Sequence, residues 1–205
     1  FYTNRTETFF NYYRKYMLMP PLEPSQGFYA LAELERRGKL QCSIANNVHN
    51  LPGRAGCKKI LNLHGTIYDN ECPRCGKKYS MEYMRDSRKV PLCQECMVPV
   101  RPKVLLFGEQ VDNQVMTEAV GEISRAEVLL LLGTSINSGL CDGYVQYFHG
   151  KTMIIIHAQK HFTDEKADVV LHEEVKSALP RIVWPEGRDD GSAESENAEN
   201  AENAD

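Results

Sequence analysis

Two Cys-x-x-Cys pairs, Cys72 with Cys75 and Cys93 with Cys96, constrain this chain more than any other feature. Seventeen residues separate the pairs, inside the C-x2-C-x15–20-C-x2-C window of a zinc ribbon. Four thiolates about 2.3 Å from one ion close a tetrahedron and leave no open position, so such a site braces a fold and performs no chemistry. Pro73 and Gly76 suit the tight turns that knuckles require. Four scattered thiols or two disulfides are the alternative. The total of seven cysteines is odd, and with four at metal spacing it points to a reducing, cytoplasmic compartment. Cys42, Cys57 and Cys141 are then expected to be core thiols.

The remaining composition mostly excludes. No run of 18 apolar residues occurs, so no membrane helix is expected. From Glu186 onward eight acids face one base, which leaves the preceding 185 residues at +3 against the overall −4. That tail, ending in an Ala-Glu-Asn repeat, lacks the apolar side chains to offset its ordering entropy and is expected to be disordered. The start shows no signal-peptide pattern and no initiator Met, which suggests a fragment or trimmed form of a longer chain. Lys77, Lys78, Arg85, Arg88 and Lys89 make the ribbon basic, but no aromatic–basic stripe accompanies them, so nucleic acid is not the expected partner.

Along the chain, aromatics at helical spacing over 5–19 end at Pro20-Pro21 and predict a helix burying Phe9, Phe10, Tyr13 and Met17. A second helix is predicted over 25–37, with Ala30, Leu31 and Leu34 inward and Gly38 just past its end. Strands are predicted at 40–44, 60–63, 104–107, 128–132 and 153–156, and helices at 115–123, 142–148 and 173–181. The segment 45–56 reads as a loop, as does the charged middle of the cysteine module, 77–90. Alternating strands and helices predict an α/β chain: a parallel sheet with helices on both faces, plus a small zinc-ribbon and helical module. The expected division is 1–25 with the small module, 26–66 and 103–183 forming the sheet domain, 67–102 the ribbon and 184–205 the tail. Three loops that end strands, 45–56, 64–65 and 133–135, are where a polar ligand would sit.

Taken together the motifs are more specific. Asn47 with Arg54-Ala55-Gly56, Leu63-His64-Gly65, the four cysteines, Arg101-Pro102, Phe107-Gly108-Glu109 and Gly133-Thr134-Ser135 occur in one order, followed by 164–168 (DEKAD) and 178–180 (ALP). Over residues 24–183 the chain resembles the sirtuins, the NAD-dependent protein-lysine deacylases. The resemblance implies a Rossmann-like NAD domain beside a zinc-stabilised module, with acylated protein or peptide as partner. Its products would be free lysine, nicotinamide and O-acyl-ADP-ribose. His64 matches the family's general base, which takes a proton from the ribose hydroxyls. Asn47 falls beside the nicotinamide ribose, His49 at the position that grips the nicotinamide amide, Gly133, Thr134, Ser135 and His157 along the rest of NAD, and Val104, Phe107, Gly108 and Glu109 along the acyl-lysine strand and tunnel. Zn2+ would be held by Cys72, Cys75, Cys93 and Cys96.

The chain also departs from the pattern. The family's glycine-rich diphosphate loop would precede Phe1. His49 stands where the family usually has aspartate, Pro52 where it has histidine, and His157 where it has asparagine. These changes predict a divergent enzyme, slow or altered in substrate. The alternative is a weakly active or inactive module that binds acylated peptide or NAD metabolites.

Overall fold

The computed structural model describes residues 2–18, 22–139 and 141–186. The acidic tail from 187 on and the Pro20-Pro21 stop lie outside the described residues.

Helix α1 (Thr6–Tyr16) forms because Phe9, Phe10 and Tyr13 fall on one face. That face is buried against the cysteine module, sharing a core with Ile67, Tyr79, Met84, Cys93 and Val100. Met17 is only partly covered there. Helix α2 (Gln26–Arg36) buries Ala30 and Leu31. Strand β1 (Ser43–Ala45) starts three residues later than expected and pairs in parallel with β2 (Ile60–Asn62). The loop between them is not wholly irregular. Helix α3 (Leu51–Arg54) interrupts it, with Pro52 in the first turn, where the missing N–H leaves no helical bond unmade.

The cysteine module is an antiparallel sheet of β3 (Gly65–Glu71), β4 (Lys78–Tyr79) and β5 (Arg101–Val104), in the order β4-β3-β5. Its charged middle is ordered rather than a loop. Helix α4 (Met81–Asp86) starts where the Ser80 side chain accepts the Tyr83 N–H, and it buries Met81 and Met84. The expected strand at 104–107 is displaced to 101–104.

Helix α5 (Asn113–Arg125) is capped by Asp112, which accepts the N–H groups of Gln114 at 2.8 Å and Val115 at 3.3 Å. It leads to β6 (Val128–Leu132), helix α6 (Cys141–Val145), β7 (Thr152–Ile156), a 3-10 helix (Phe162–Lys166), β8 (Val169–Leu171) and helix α7 (Val175–Val183). Strands β6, β7 and β8 form an in-register parallel ladder.

The parallel strands thus fall into two ladders rather than one unbroken sheet, because β1 pairs only with β2 and β6 only with β7 among the described residues. The ladders share their covering layers. Ile60 and Leu130 both pack on the core of α2 and α7, and Ile44 and Leu129 both pack on the core of α5. With one edge open, β6 is less covered than an internal apolar strand would be: Leu131 is buried and Val128 exposed. Of the three remaining thiols, Cys57 is buried, whereas Cys42 and Cys141 are only half-buried. No helix among the described residues is long and apolar enough to cross a membrane.

Candidate active site and metal centre

Between Asn62, the last residue of β2, and Gly65, the first of β3, the chain passes from a parallel ladder into the antiparallel sheet. His64 sits in that joint, half-buried. Its backbone is tied from both sides. The N–H of buried Leu63 donates to the Ala45 carbonyl, and the Leu105 N–H donates to the His64 carbonyl, each at 2.9 Å. Gly65, opposite Val104, has φ +68° and a Cβ there would overlap the Lys103 carbonyl oxygen, so only glycine lets β5 come this close.

Asn47 and His49 lie alongside. The Val48 carbonyl accepts the Ile67 N–H at 2.9 Å, docking this loop on β3, and the Asn47 side chain accepts the His49 N–H at 3.2 Å, closing a local turn. Burial, and secondarily the Arg54 charge, pushes the His49 imidazole below its ordinary pKa, so it is neutral at pH 7. Sequence reasoning missed Asn62. Its Nδ2 donates to Asn50 at 3.3 Å, while its Oδ1 is buried without a hydrogen-bond partner, two residues from His64. A polar residue ending an otherwise apolar strand was the available signal.

Val104 is buried and ends β5. The chain then turns instead of continuing as a strand. Glu109 accepts from Arg101 at 2.6 and 2.7 Å and from the Leu106 N–H at 2.7 Å, and its own N–H donates back to the Leu106 carbonyl at 2.9 Å. Gly108 has φ +92° in that turn. Phe107 is fully exposed, so its ring lines no enclosed tunnel here; the turn points it outward. The Glu109 carboxylate is engaged in holding the turn.

Gly133, Thr134 and Ser135 follow β6. The Gly133 N–H donates to the Ile156 carbonyl at 2.9 Å, and the Thr134 hydroxyl donates to the Ser138 hydroxyl at 2.8 Å. His157 follows β7, its ring buried against Asp164. The candidates therefore form two groups. Asn47, His49, His64 and Val104 gather around the β2–β3 joint, and Gly133 to Ser135 with His157 end the other ladder. Each group lies at the carboxyl end of parallel strands, where open α/β sheets take their ligands. The chemistry fits a dinucleotide: an exposed glycine turn with hydroxyls suits a ribose or phosphate, and the orphan Asn62 oxygen suits an amide donor such as that of nicotinamide.

The four cysteine sulfurs lie within 4.8 Å of one another. Cys75 and Cys93 are 3.7 Å apart, against about 3.8 Å for the edge of a zinc–thiolate tetrahedron. The knuckles are built alike. Gly76 and Met97 donate N–H to the Cys72 and Cys93 carbonyls at 2.9 Å, and both adopt positive φ. The Tyr79 hydroxyl, 3.2 Å from Cys93, draws that thiol down to about 6, while the hydrogen bond with Cys75 pushes Cys96 up to about 12. Such opposed shifts belong to crowded thiols that cannot all ionise without a cation. This donor set fits structural zinc. Nearby, Lys77 pairs with Glu95, Lys78 with Asp69 and Glu71, and Arg85 with Asp86.

A profile described as the Sir2 family matches residues 2–138. The NAD-dependent protein deacetylase of Clostridium acetobutylicum is 33% identical over 184 residues, which span 89% of this chain and 75% of the relative. A solved structure of Sir2 bound to acetylated peptide is similar with a TM-score of 0.78 at 29% identity, covering 91% of this chain and 80% of that one. A Sir2–p53 peptide–NAD+ structure gives a TM-score of 0.78 at 30% identity, with 91% and 80% covered.

Proposed function

Because the chain belongs to the Sir2 family, we propose that it is an NAD-dependent protein-lysine deacetylase, releasing free lysine, nicotinamide and O-acyl-ADP-ribose. The observation that carries this reading is the fixing of His64 between two ladders by the bonds at Leu63 and Leu105. A general base works in proportion to how well it is held. NAD, when bound, supplies the ribose carbon that receives the acyl oxygen. His64 takes a proton from a ribose hydroxyl, Asn47 sits beside the nicotinamide ribose, and the unpartnered Asn62 oxygen accepts from the nicotinamide amide. Gly133, Thr134 and Ser135 receive the rest of the dinucleotide. Strand β5 is an edge, with β3 its one ladder partner among the described residues, so the backbone of an acylated peptide can extend the sheet beside Val104. Zinc on the four cysteines braces this wall and takes no part in the reaction. Four of the seven cysteines cluster as metal ligands rather than being spaced as disulfides, which supports a reducing, cytoplasmic location.

The test is nicotinamide release from NAD by the full-length protein in the presence of an acetyl-lysine peptide. His64→Ala should lower the rate by about 10²-fold or more, the usual worth of a general base. Release undiminished by that substitution would sink the assignment. A second reading, a module that binds acylated peptide or NAD metabolites without turnover, is favoured by the engagement of His157 with Asp164. Binding of peptide with no release at high protein concentration would select it.

A further inference from the structure

Strands β7 and β8 run in register up to the pair Ile156 and Leu171. The next residue on each is a histidine. Residues level with each other on parallel strands project to the same face, and the His157 N–H continues the ladder to the Leu171 carbonyl at 3.1 Å. The rings of His157 and His172 accordingly lie 5.6 Å apart. The 3-10 helix between the strands brings Asp164 to both of them. Its Oδ1 is 3.0 Å from Nε2 of His157 and its Oδ2 is 2.8 Å from Nε2 of His172. The His161 N–H holds the carboxylate from behind at 2.9 Å.

One contact in this group is not a hydrogen bond. His157 and Asp164 are 8% and 7% exposed, and Nε2 of the first and Oδ1 of the second have no hydrogen-bond partner despite their 3.0 Å separation. One ligand atom from each of His157, Asp164 and His172 lies within 4.8 Å of the others, a spacing that a single ion can bridge. Adjacent ligands about 2.1 Å from one ion would stand roughly 3.0–3.4 Å apart, close to the spacing found. We infer that His157, Asp164 and His172 form a second metal site, separate from the cysteines, for a divalent first-row transition ion. Two imidazoles and one carboxylate suit zinc, cobalt or nickel better than calcium or magnesium. The carboxylate is oriented by a backbone donor, as ligating carboxylates usually are. His172, whose side chain is 32% exposed, gives the ion access from solvent.

The experiment is a Co2+ titration of the reduced full-length protein carrying zinc on its cysteines, followed by visible absorption and metal counting. One further cobalt per chain should bind, with d–d bands but no thiolate-to-cobalt charge-transfer band. Asp164→Asn and His172→Ala should each weaken that binding at least ten-fold while keeping one zinc per chain. His172→Ala removes a partly exposed ring, so it serves even if Asp164→Asn fails to fold. Absence of a further cobalt, or binding undiminished in the folded variants, overturns the site.

Discussion

Gly65→Ala isolates the contact that positions His64. Gly65 and Gly38 share φ +68°, so alanine at either meets the same left-handed cost, about 1–2 kcal/mol. Their surroundings differ. At Gly38 the new Cβ meets nothing within 4 Å, whereas at Gly65 it overlaps the Lys103 oxygen and lies 2.9 Å from the Lys103 carbonyl carbon. Relief requires β5 to retreat, which strains the pairing of Gly65 with Val104 and the bond from Leu105 to His64. Losing two such bonds, each about 1 kcal/mol net and more if its groups stay buried, brings Gly65→Ala to about 3–6 kcal/mol against about 1–2 for Gly38→Ala. For a chain of this size that is a fall in Tm of roughly 6–24 °C against roughly 2–8 °C. Thermal unfolding of the zinc-loaded proteins measures the difference. Nicotinamide release should also fall by at least ten-fold in Gly65→Ala alone, since displacement of a base by about 1 Å is costly. Equal stability of the two variants would refute the claim that β5 presses on the LHG turn.

Two further outcomes are expected. Reduced protein should carry one zinc at the cysteines. Chelation should unfold α1 together with the module, because Cys72 and Cys93 share a core with Phe9, Phe10 and Tyr13; structural zinc contributes about 10 kcal/mol or more, beyond what a small core can replace. Metal analysis and tyrosine fluorescence check this, and fluorescence unchanged by chelation would refute it. The second concerns acid. Hydrogen bonds from Arg36 and Arg37 hold the Glu33 carboxyl down at about 2. Its folded pKa lies below its unfolded value, so its contribution is complete above about pH 4.5 and is lost as pH falls through about 2. Glu33→Gln should flatten that acid limb in urea titrations, and an unchanged pH dependence would count against the pairing.

What could be read from the chain depended on whether the deciding contacts were local. Strand β6 matches the apolar run 128–132 residue for residue, and β7 differs by one, because apolar runs of about five residues are too short for a typical helix and favour strands. The cysteines declared themselves through spacing. The run 104–107 misled, since its composition favours a strand while the turn is imposed by Arg101 reaching Glu109. Helix α3 was hidden in a stretch rich in Asn, Gly and Pro, although Pro52 in its first turn was a usable sign. Asp164 and His172 went unmarked as partners of His157. Their juxtaposition depends on the register of β7 with β8, and β8 itself is only three residues long.

The seating of α1 on the cysteine core bears on how the protein is made. The aromatic face of Phe9, Phe10 and Tyr13 leaves the ribosome well before Cys93 and Val100, the residues that cover it. At about 5–20 residues per second that greasy surface waits for several seconds, and its shelter then depends on metal reaching the nascent ribbon. Limiting zinc during synthesis should therefore lower the yield of folded chain, since the cover for Phe9, Phe10 and Tyr13 includes two of the cysteines.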